Sequence, residues 1–363
     1  MNKADTKRLD GKPSLVIPFG GPIQMRLLIA LLILTAILLG LVHQASYADS
    51  GRSDGPHYRV IESIPGPDGS FDHLSIDARA GQLYLARGDG VMKLDLFTGD
   101  ITRTFVKGEH VNDVIVLPGG RLLSTNEGTN TAVISEQSNG AQIFRIPTGK
   151  GPDVAVYDTF SKLAYVMDSD DGTVTVIDPA AGKLLNDISV GGKLEFAVSD
   201  GAGHIYINVT DRAQVAVLDT KSRKVVGYYT LPGCSQPTGL GIDPSENILV
   251  SACRNRKAVA LRAKTGSFMT SFDIDKIPDD VIFDAKRKRF IIPCALEGTL
   301  FAIPETSTGL GIADRTTTAV GARTGALDTR TGWLYLPTAD YTIGLTGFKQ
   351  KDGTFRILLM TMK

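Results

Sequence analysis

Ionisable and polar side chains recur along this chain of 363 residues at intervals of 40 to 44 positions. Four carboxylates and one guanidinium brought together would attract a cation or a polar ligand, because charge focused in a concave surface concentrates its counter-ions. We therefore treat the series as a candidate binding ring. Its members are Asp72, Asn112, Asp153, Glu195, Thr238, Asp279 and Arg323.

A second polar series follows 15 residues behind the first, and His73 and His110 lie beside first-series positions. The second series is Arg87, Glu127, Asp168, Thr210, Cys253, Cys294 and Thr338. Histidine combined with carboxylates favours a divalent cation with oxygen ligands, Ca²⁺ or Mg²⁺, over zinc. No recognised metal-ligand spacing occurs, so the cofactor stays unknown and the cation is the weaker hypothesis. In the structural alternative, these side chains only cap strand ends and tight turns.

Catalytic motifs are missing from the sequence. It contains no G-x-S-x-G elbow and no phosphate-binding loop, and no Ser, His and Asp set that the sequence places together. Paired acids could still act as general acid and base on a lactone or glycan. We therefore assign no catalytic residue and expect binding rather than turnover.

Short β-type segments position the two series. An apolar strand ending in Asp or an equivalent turn residue recurs seven times, from Leu74–Asp77 to Ala326–Asp328, and a second strand follows each one. A third strand leads to a hairpin turn that carries glycine at a position needing positive φ, namely Gly99, Gly140, Gly182, Gly266 or Gly309. The fourth repeat has Arg223 there instead.

Seven repeats of about 42 residues, each with four strands and without helix, predict an all-β fold. A radial array protects most sheet edges, so we expect a seven-bladed β-propeller of four-stranded antiparallel blades. The innermost strand of every blade would start at one channel mouth, where both polar series would lie. We expect Arg59–Ile64 to pair with Phe355–Met360 in blade seven and close the ring over residues 58–363. Residues 339–353 would then form a long loop.

The three cysteines predict one disulfide. Cys234 precedes the first strand of the fifth repeat and Cys253 ends the second, so antiparallel pairing brings them to the same end of one blade. Cys253 and Cys294 occupy equivalent positions in blades that fan apart, beyond the reach of a bridge. We expect Cys234 to pair with Cys253 and Cys294 to stay free.

The N-terminal region has the features of an export signal. Leu27–Val42 is apolar, and Ser46 and Ala48 supply the small residues that a signal peptidase needs. We expect residues 1–48 to be a signal peptide cleaved after Ala48, with a long n-region or a start at Met25. Residues 49–57 would be a flexible lead-in. The alternative is an uncleaved membrane anchor over Leu27–Val42.

Composition excludes disordered, collagen-like and disulfide-scaffold classes, since 42% of residues are apolar and only three are cysteine. The balance of 39 basic and 39 acidic residues becomes a net charge of −3 beyond residue 48. That charge argues against nucleic acid, although Lys286–Arg289 is a basic run and Arg254, Arg256 and Lys257 form a second group.

Several of these segments resemble the YVTN-repeat β-propellers, in particular the YncE-like branch. The matching segments are 71–77, 194–200, 234–243, 253–255, 321–323 and 335–339. The resemblance covers the chain from about His57 and implies a periplasmic or secreted protein. We expect a non-enzymatic scaffold whose partner is a periplasmic protein or a small polar ligand, without membrane contact after cleavage. The alternatives are a lactonase-type enzyme or an accessory subunit of a periplasmic redox enzyme, with nucleic-acid binding as a minor alternative.

Overall fold

Strands dominate the computed structural model, which describes residues 57–344 and 347–362. Within these ranges there is no α-helix, and two short 3₁₀ turns occur at Glu127–Thr129 and Thr210–Arg212. None of the described helical segments is long and apolar enough to cross a membrane. The predicted signal peptide, the Leu27–Val42 stretch and residues 49–56 of the lead-in lie outside the described residues.

The blades follow one another along the chain, and in blades one to six neighbouring strands pair in sequence order. The first strand of the described chain is β1 (Tyr58–Pro65). Blade one contains β2 (Phe71–Asp77), β3 (Gln82–Arg87), β4 (Gly90–Asp95) and β5 (Ile101–Lys107). Blade two contains β6 (Val111–Leu117), β7 (Arg121–Asn126), β8 (Thr131–Glu136) and β9 (Gln142–Pro147). Blade three contains β10 (Pro152–Asp158), β11 (Leu163–Asp168), β12 (Thr173–Asp178) and β13 (Lys183–Ser189).

The second half of the ring repeats this pattern with small variations. Blade four contains β14 (Leu194–Ser199), β15 (His204–Val209), β16 (Gln214–Asp219) and β17 (Lys224–Thr230). Blade five contains β18 (Pro237–Asp243), β19 (Ile248–Cys253), β20 (Lys257–Arg262) and β21 (Phe268–Asp273). Blade six contains β22 (Ile282–Asp284), β23 (Arg289–Cys294), β24 (Thr299–Thr306), the short β25 (Gly309–Leu310) and β26 (Asp314–Thr317). The prediction of seven four-stranded antiparallel blades is confirmed.

Blade seven is built from both ends of the described chain. It contains β27 (Ala326–Asp328), β28 (Trp333–Thr338), a separate hairpin of β29 (Tyr341–Gly344) and β30 (Gly347–Gln350), and β31 (Arg356–Met362). Its fourth strand is β1, which pairs antiparallel with β31 from Tyr58 opposite Met362 to Pro65 opposite Arg356. The segment expected to be a loop between β28 and β31 therefore contains a two-stranded hairpin.

The core lies between neighbouring blades. Every residue of β19 is buried, whereas exposed and half-buried residues alternate along the outermost strand β17. A strand covered on both faces needs a continuous apolar run, while an outer strand needs apolar residues on one face only. This difference explains why the second strand of each repeat carries the strongest apolar signal in the sequence.

The hairpin turns between third and fourth strands have the predicted backbone. All five predicted glycines have positive φ, from +65° at Gly182 to +129° at Gly309. Arg223 takes the same left-handed conformation, with a φ of +53°. The fourth repeat thus keeps the turn geometry in spite of the steric cost of a side chain there.

The predicted disulfide is confirmed. Cys234 and Cys253 are bonded with their Cα atoms 5.6 Å apart, which joins the loop before β18 to the end of β19. Cys294 is buried and free. Burial raises the pKa of its thiol to about 12, so at neutral pH it stays protonated and unreactive.

Removal of the bridge should destabilise the protein because the unfolded chain gains freedom over 19 residues of sequence separation. We expect the Cys234→Ala, Cys253→Ala double variant to lose about 3 kcal/mol in the free energy of unfolding, measured by urea denaturation. Reductant should lower wild-type stability and leave the double variant unchanged. The Cys294→Ala control should keep the reductant response; a loss of that response would contradict the assigned pairing.

Candidate functional site

A break in strand pairing directs the first polar series toward the channel. In blades one to five the register between the first and second strands shifts at this position, for example between Phe71 and Leu74 and between Pro152 and Ala155. Such bulges re-aim a side chain and bend the strand. In blades six and seven, Asp279 and Arg323 lie just before β22 and β27, outside the paired region.

These residues meet in a depression of about 440 Å³, here named the central cavity, to which all seven blades contribute. Nine of the twelve predicted mouth residues line it, together with Arg254 and Ile277. The nine are Asp72, His73, His110, Asn112, Glu127, Asp153, Glu195, Asp279 and Arg323. A cavity of this size fits a small ligand rather than a macromolecule.

Arg323 forms two ion pairs on one side of the cavity. Its Nε lies 2.6 Å from Oδ2 of Asp279, and its Nη2 lies 3.1 Å from Oδ1 of Asp72. Since these three residues belong to blades seven, six and one, the guanidinium bridges the two sides of the ring closure. Two of the cavity carboxylates are thereby ion-paired, and the single positive charge of the guanidinium offsets one of their two negative charges.

A second polar group occupies blade two. Glu127 Oε2 accepts a hydrogen bond from Nδ2 of Asn112 at 2.9 Å and lies 3.1 Å from Nδ1 of His110. Glu127 is the second-series residue that reaches the central cavity. Its carboxylate therefore already has partners on the protein.

Buried groups beside the lining form a layer in which the sequence interpretation identified His73 but missed Asp113 and Asp280. Nδ1 of His73 is 3.4 Å from Oδ1 of Asp280 without hydrogen-bond geometry, and the imidazole packs against Phe196. Asp113 accepts hydrogen bonds from the amides of Val114 and Ala155. The signal was present, since Asp113 and Asp280 directly follow ring positions.

Burial sets the protonation of this layer. It raises the pKa of Asp113 to about 6, and the charge of His73 opposes the rise. Burial also disfavours the charged imidazolium of His73, but the carboxylates of Asp280, Asp72 and Asp113 outweigh it and raise the pKa of His73 well above its usual value. His73, which lines the cavity, is therefore protonated more readily than an ordinary histidine.

Asp153 and Glu195 differ from the other lining acids. Neither side chain accepts a hydrogen bond or forms an ion pair within the described part of the chain. Burial, followed by the charge of Glu195, raises the pKa of Asp153 well above its usual value. Burial and the charge of Asp279 raise the pKa of Glu195 to about 7. These half-buried carboxyls are therefore available to accept hydrogen bonds from a ligand.

Three predicted mouth residues lie outside the cavity and serve the fold. Arg87 is buried with its guanidinium 4.4 Å from the ring centre of Phe355, and it donates to the carbonyl of Pro67. Asp168 accepts hydrogen bonds from the hydroxyls of Thr173 and Thr175. Thr238 donates to the carbonyl of Pro278.

Two other second-series residues also hold neighbouring segments together. Thr210 donates to the carbonyl of Pro237 in the following blade, and Thr338 donates to the carbonyl of Val320 in the loop that precedes its own blade. Residues at the end of a second strand lie beside the backbone of neighbouring segments, so their polar groups form hydrogen bonds with that backbone. At these positions the contacts agree with the structural alternative, in which polar side chains cap strand ends and do not bind a ligand.

Basic residues from both of the predicted clusters form ion pairs with acidic side chains. Lys288 bonds to Asp243 and Arg287 to Asp284, both at 3.0 Å, while Arg256 lies 3.0 Å from Asp275. These cations are therefore paired within the protein. Among the described residues, no group of three or more His, Cys, Asp or Glu side chains has an arrangement that could hold a metal ion.

Comparison with known proteins identifies the fold. No protein-family model and no curated protein matches the sequence. A chain in a crystal structure of the Mitotic Checkpoint Complex superposes with a TM-score of 0.68 at 10% identity, over 86% of this chain and 94% of that chain. A chain of Kuenenia stuttgartiensis hydrazine synthase gives a TM-score of 0.64 at 16% identity, over 79% and 96%. Both similarities indicate the propeller architecture alone.

The raised pKa values make a prediction about stability. Between pH 4.5 and about 7 the folded protein binds more protons at Glu195 than the unfolded chain does, so its free energy of unfolding falls as pH rises through that range. Asp113 has the same sign from pH 3.8 to about 6. The raised pKa of His73 adds stability that is likewise lost as pH rises.

We expect the protein to be more stable at pH 5 than at pH 8, as measured by urea denaturation. Glu195→Gln should reduce that difference by about 1 to 3 kcal/mol, since its amide does not titrate. Glu62→Gln, on the exposed face of β1, is the matched control and should leave the pH dependence unchanged. An unaltered pH dependence in Glu195→Gln would contradict the assigned burial of this carboxyl.

Proposed function

We propose that this chain is an exported, non-enzymatic binding propeller that takes a small cationic polar ligand into the central cavity. The observation that carries the proposal is the pair of carboxyls at Asp153 and Glu195, which line the cavity without a hydrogen-bond donor from the described residues. A half-buried carboxylate without partners is costly, and a bound ammonium would supply both charge and donors.

The remaining charges favour the same ligand. Five carboxylates and two guanidinium groups line the cavity, and Arg323 already forms ion pairs with Asp72 and Asp279. The surplus acids are therefore concentrated at Asp153, Glu195 and Glu127. An anion would meet repulsion there, whereas a cation would supply a counter-charge to two carboxyls whose pKa values are raised first by burial and then by neighbouring carboxylates.

Export is part of the proposal. The N-terminal signal features, with cleavage after Ala48, would deliver the propeller to the periplasm or outside the cell, where disulfides persist. The Cys234–Cys253 bridge agrees with that compartment. We further propose membership of the YVTN-repeat propellers, YncE-like branch, on the repeat of about 42 residues and the segments quoted above.

A binding test uses three small probes of similar size. We expect calorimetry of the purified protein at pH 8 to detect ethanolamine and to detect neither ethylene glycol nor glycolate. Affinity should weaken as pH falls below about 7, because Glu195 must be ionised to accept the ammonium. A ligand preference for glycolate would overturn the proposal.

Two conservative variants locate the site. Asp153→Asn and Glu195→Gln should each weaken ethanolamine binding at least about tenfold, the cost of one charge-assisted hydrogen bond. Glu62→Gln should bind as the wild type does. Unchanged binding in both cavity variants would place the ligand elsewhere, and conversion of the ligand to a product would replace the binding role by an enzymatic one.

A further inference from the structure

An apolar cavity adjoins the central cavity between blades six and seven. Its volume is about 140 Å³, and its lining is Ile277, Ala295, Leu296, Val320, Gly321, Arg323 and Tyr341. Ile277 and Arg323 line both cavities. The two spaces are therefore neighbours that share a wall, one acidic and one apolar.

The size of the apolar cavity indicates what it can hold. A dry cavity of about 150 Å³ lined by aliphatic and aromatic side chains accommodates benzene. Val320, at 44% exposure, forms part of this lining, so the cavity presents accessible apolar surface beside a charged site. One aromatic ring matches both the volume and the chemistry.

At the wall shared by the two cavities, a residue with a side chain adopts a positive φ, the conformation that glycine adopts with least strain. Two residues before the ring position, the chain has positive φ in several blades, with His110, Gly151, Gln236, Ile277 and Gly321 in that place. Ile277, at φ +58°, is the β-branched member, for which this conformation is a steric outlier. Its side chain is thus kept at the shared wall in spite of strain.

Tyr341 forms the outer side of the apolar cavity. It comes from the β29–β30 hairpin, an insertion of blade seven, and its ring packs so closely on Gly321 that a Cβ there would lie 2.3 Å from it. Arg323, held by Asp72 and Asp279, presents a paired guanidinium between the two spaces. A planar guanidinium in this state stacks on aromatic rings.

We propose that the ligand of the central cavity is a primary amine bearing one aromatic ring. Its ammonium donates to Asp153 and Glu195, and its ring enters the apolar cavity between Ile277, Val320 and Tyr341. This inference rests on the proposed function, since it assigns the chemical class of the same ligand. A primary ammonium is favoured over a quaternary one because unused carboxylate acceptors require N–H donors.

Three probes test the contributions of the ammonium group and of the aromatic ring separately. By calorimetry at pH 8, 2-phenylethylamine should bind on the order of tenfold or more tightly than ethylamine, because the phenyl group leaves water. Trimethyl(2-phenylethyl)ammonium should bind more weakly than 2-phenylethylamine. Equal affinity for ethylamine and 2-phenylethylamine would overturn the inference and leave the proposed function standing. Absence of binding by both amines would overturn both.

A pair of valine variants tests where the ring binds. Val320→Gln should remove most of the advantage of 2-phenylethylamine and leave ethylamine binding unchanged. Val226→Gln, at another exposed valine on the outer strand β17, should keep the advantage. Ala295→Leu, which fills the apolar cavity without adding polarity, should act as Val320→Gln does. Retention of the full advantage in Val320→Gln and Ala295→Leu would overturn the assignment of the ring to this cavity.

Discussion

The pairing of β1 with β31 is the interaction on which the rest of the architecture depends. Seven blades form a closed ring only if the last blade is completed by a strand from the other end of the propeller sequence. Without that strand, blade seven would present an unpaired edge. The ion pair of Arg323 with Asp72 crosses the same closure, so the lining of the central cavity exists only in the closed ring.

Ring closure also sets the electrostatics of the site. Each blade contributes one to three polar side chains at the same rim, and convergence places like charges close together in a partly buried space. The protein relieves part of this repulsion with Arg323, Arg254 and the imidazolium of His73. Asp153 and Glu195 keep raised pKa values, so their ionised forms destabilise the folded state. Such perturbed carboxyls are typical of binding sites.

The apolar cavity arises where two blades depart from the repeat. Blade seven carries the β29–β30 hairpin between its second and third strands, where other blades have short turns. Blade six places Ile277 where the repeat needs a left-handed residue. These two departures from the repeat lie beside the same acidic space, so one region of a nearly symmetric ring acquires a shape of its own.

The architecture follows from local features of the sequence. Apolar runs of the right length and glycines at hairpin turns recur with a period of about 42, and this pattern specifies strands, blade number and the neighbours Cys234 and Cys253. Such features act over a few residues or within one blade, where strand geometry is regular. The polar series could be found for the same reason, because a repeat places equivalent residues at equivalent strand ends.

Only the tertiary structure decided which polar residues share the cavity. Arg323 and Asp72 are 251 positions apart, and no local pattern reports that their side chains meet. Arg87, Asp168 and Thr238 match the two series as well as Asp153 does, but their side chains contact structural partners instead of the cavity. Asp113 and Asp280 in the buried layer escaped the sequence interpretation because burial and through-space charge depend on how the seven blades are arranged around one axis.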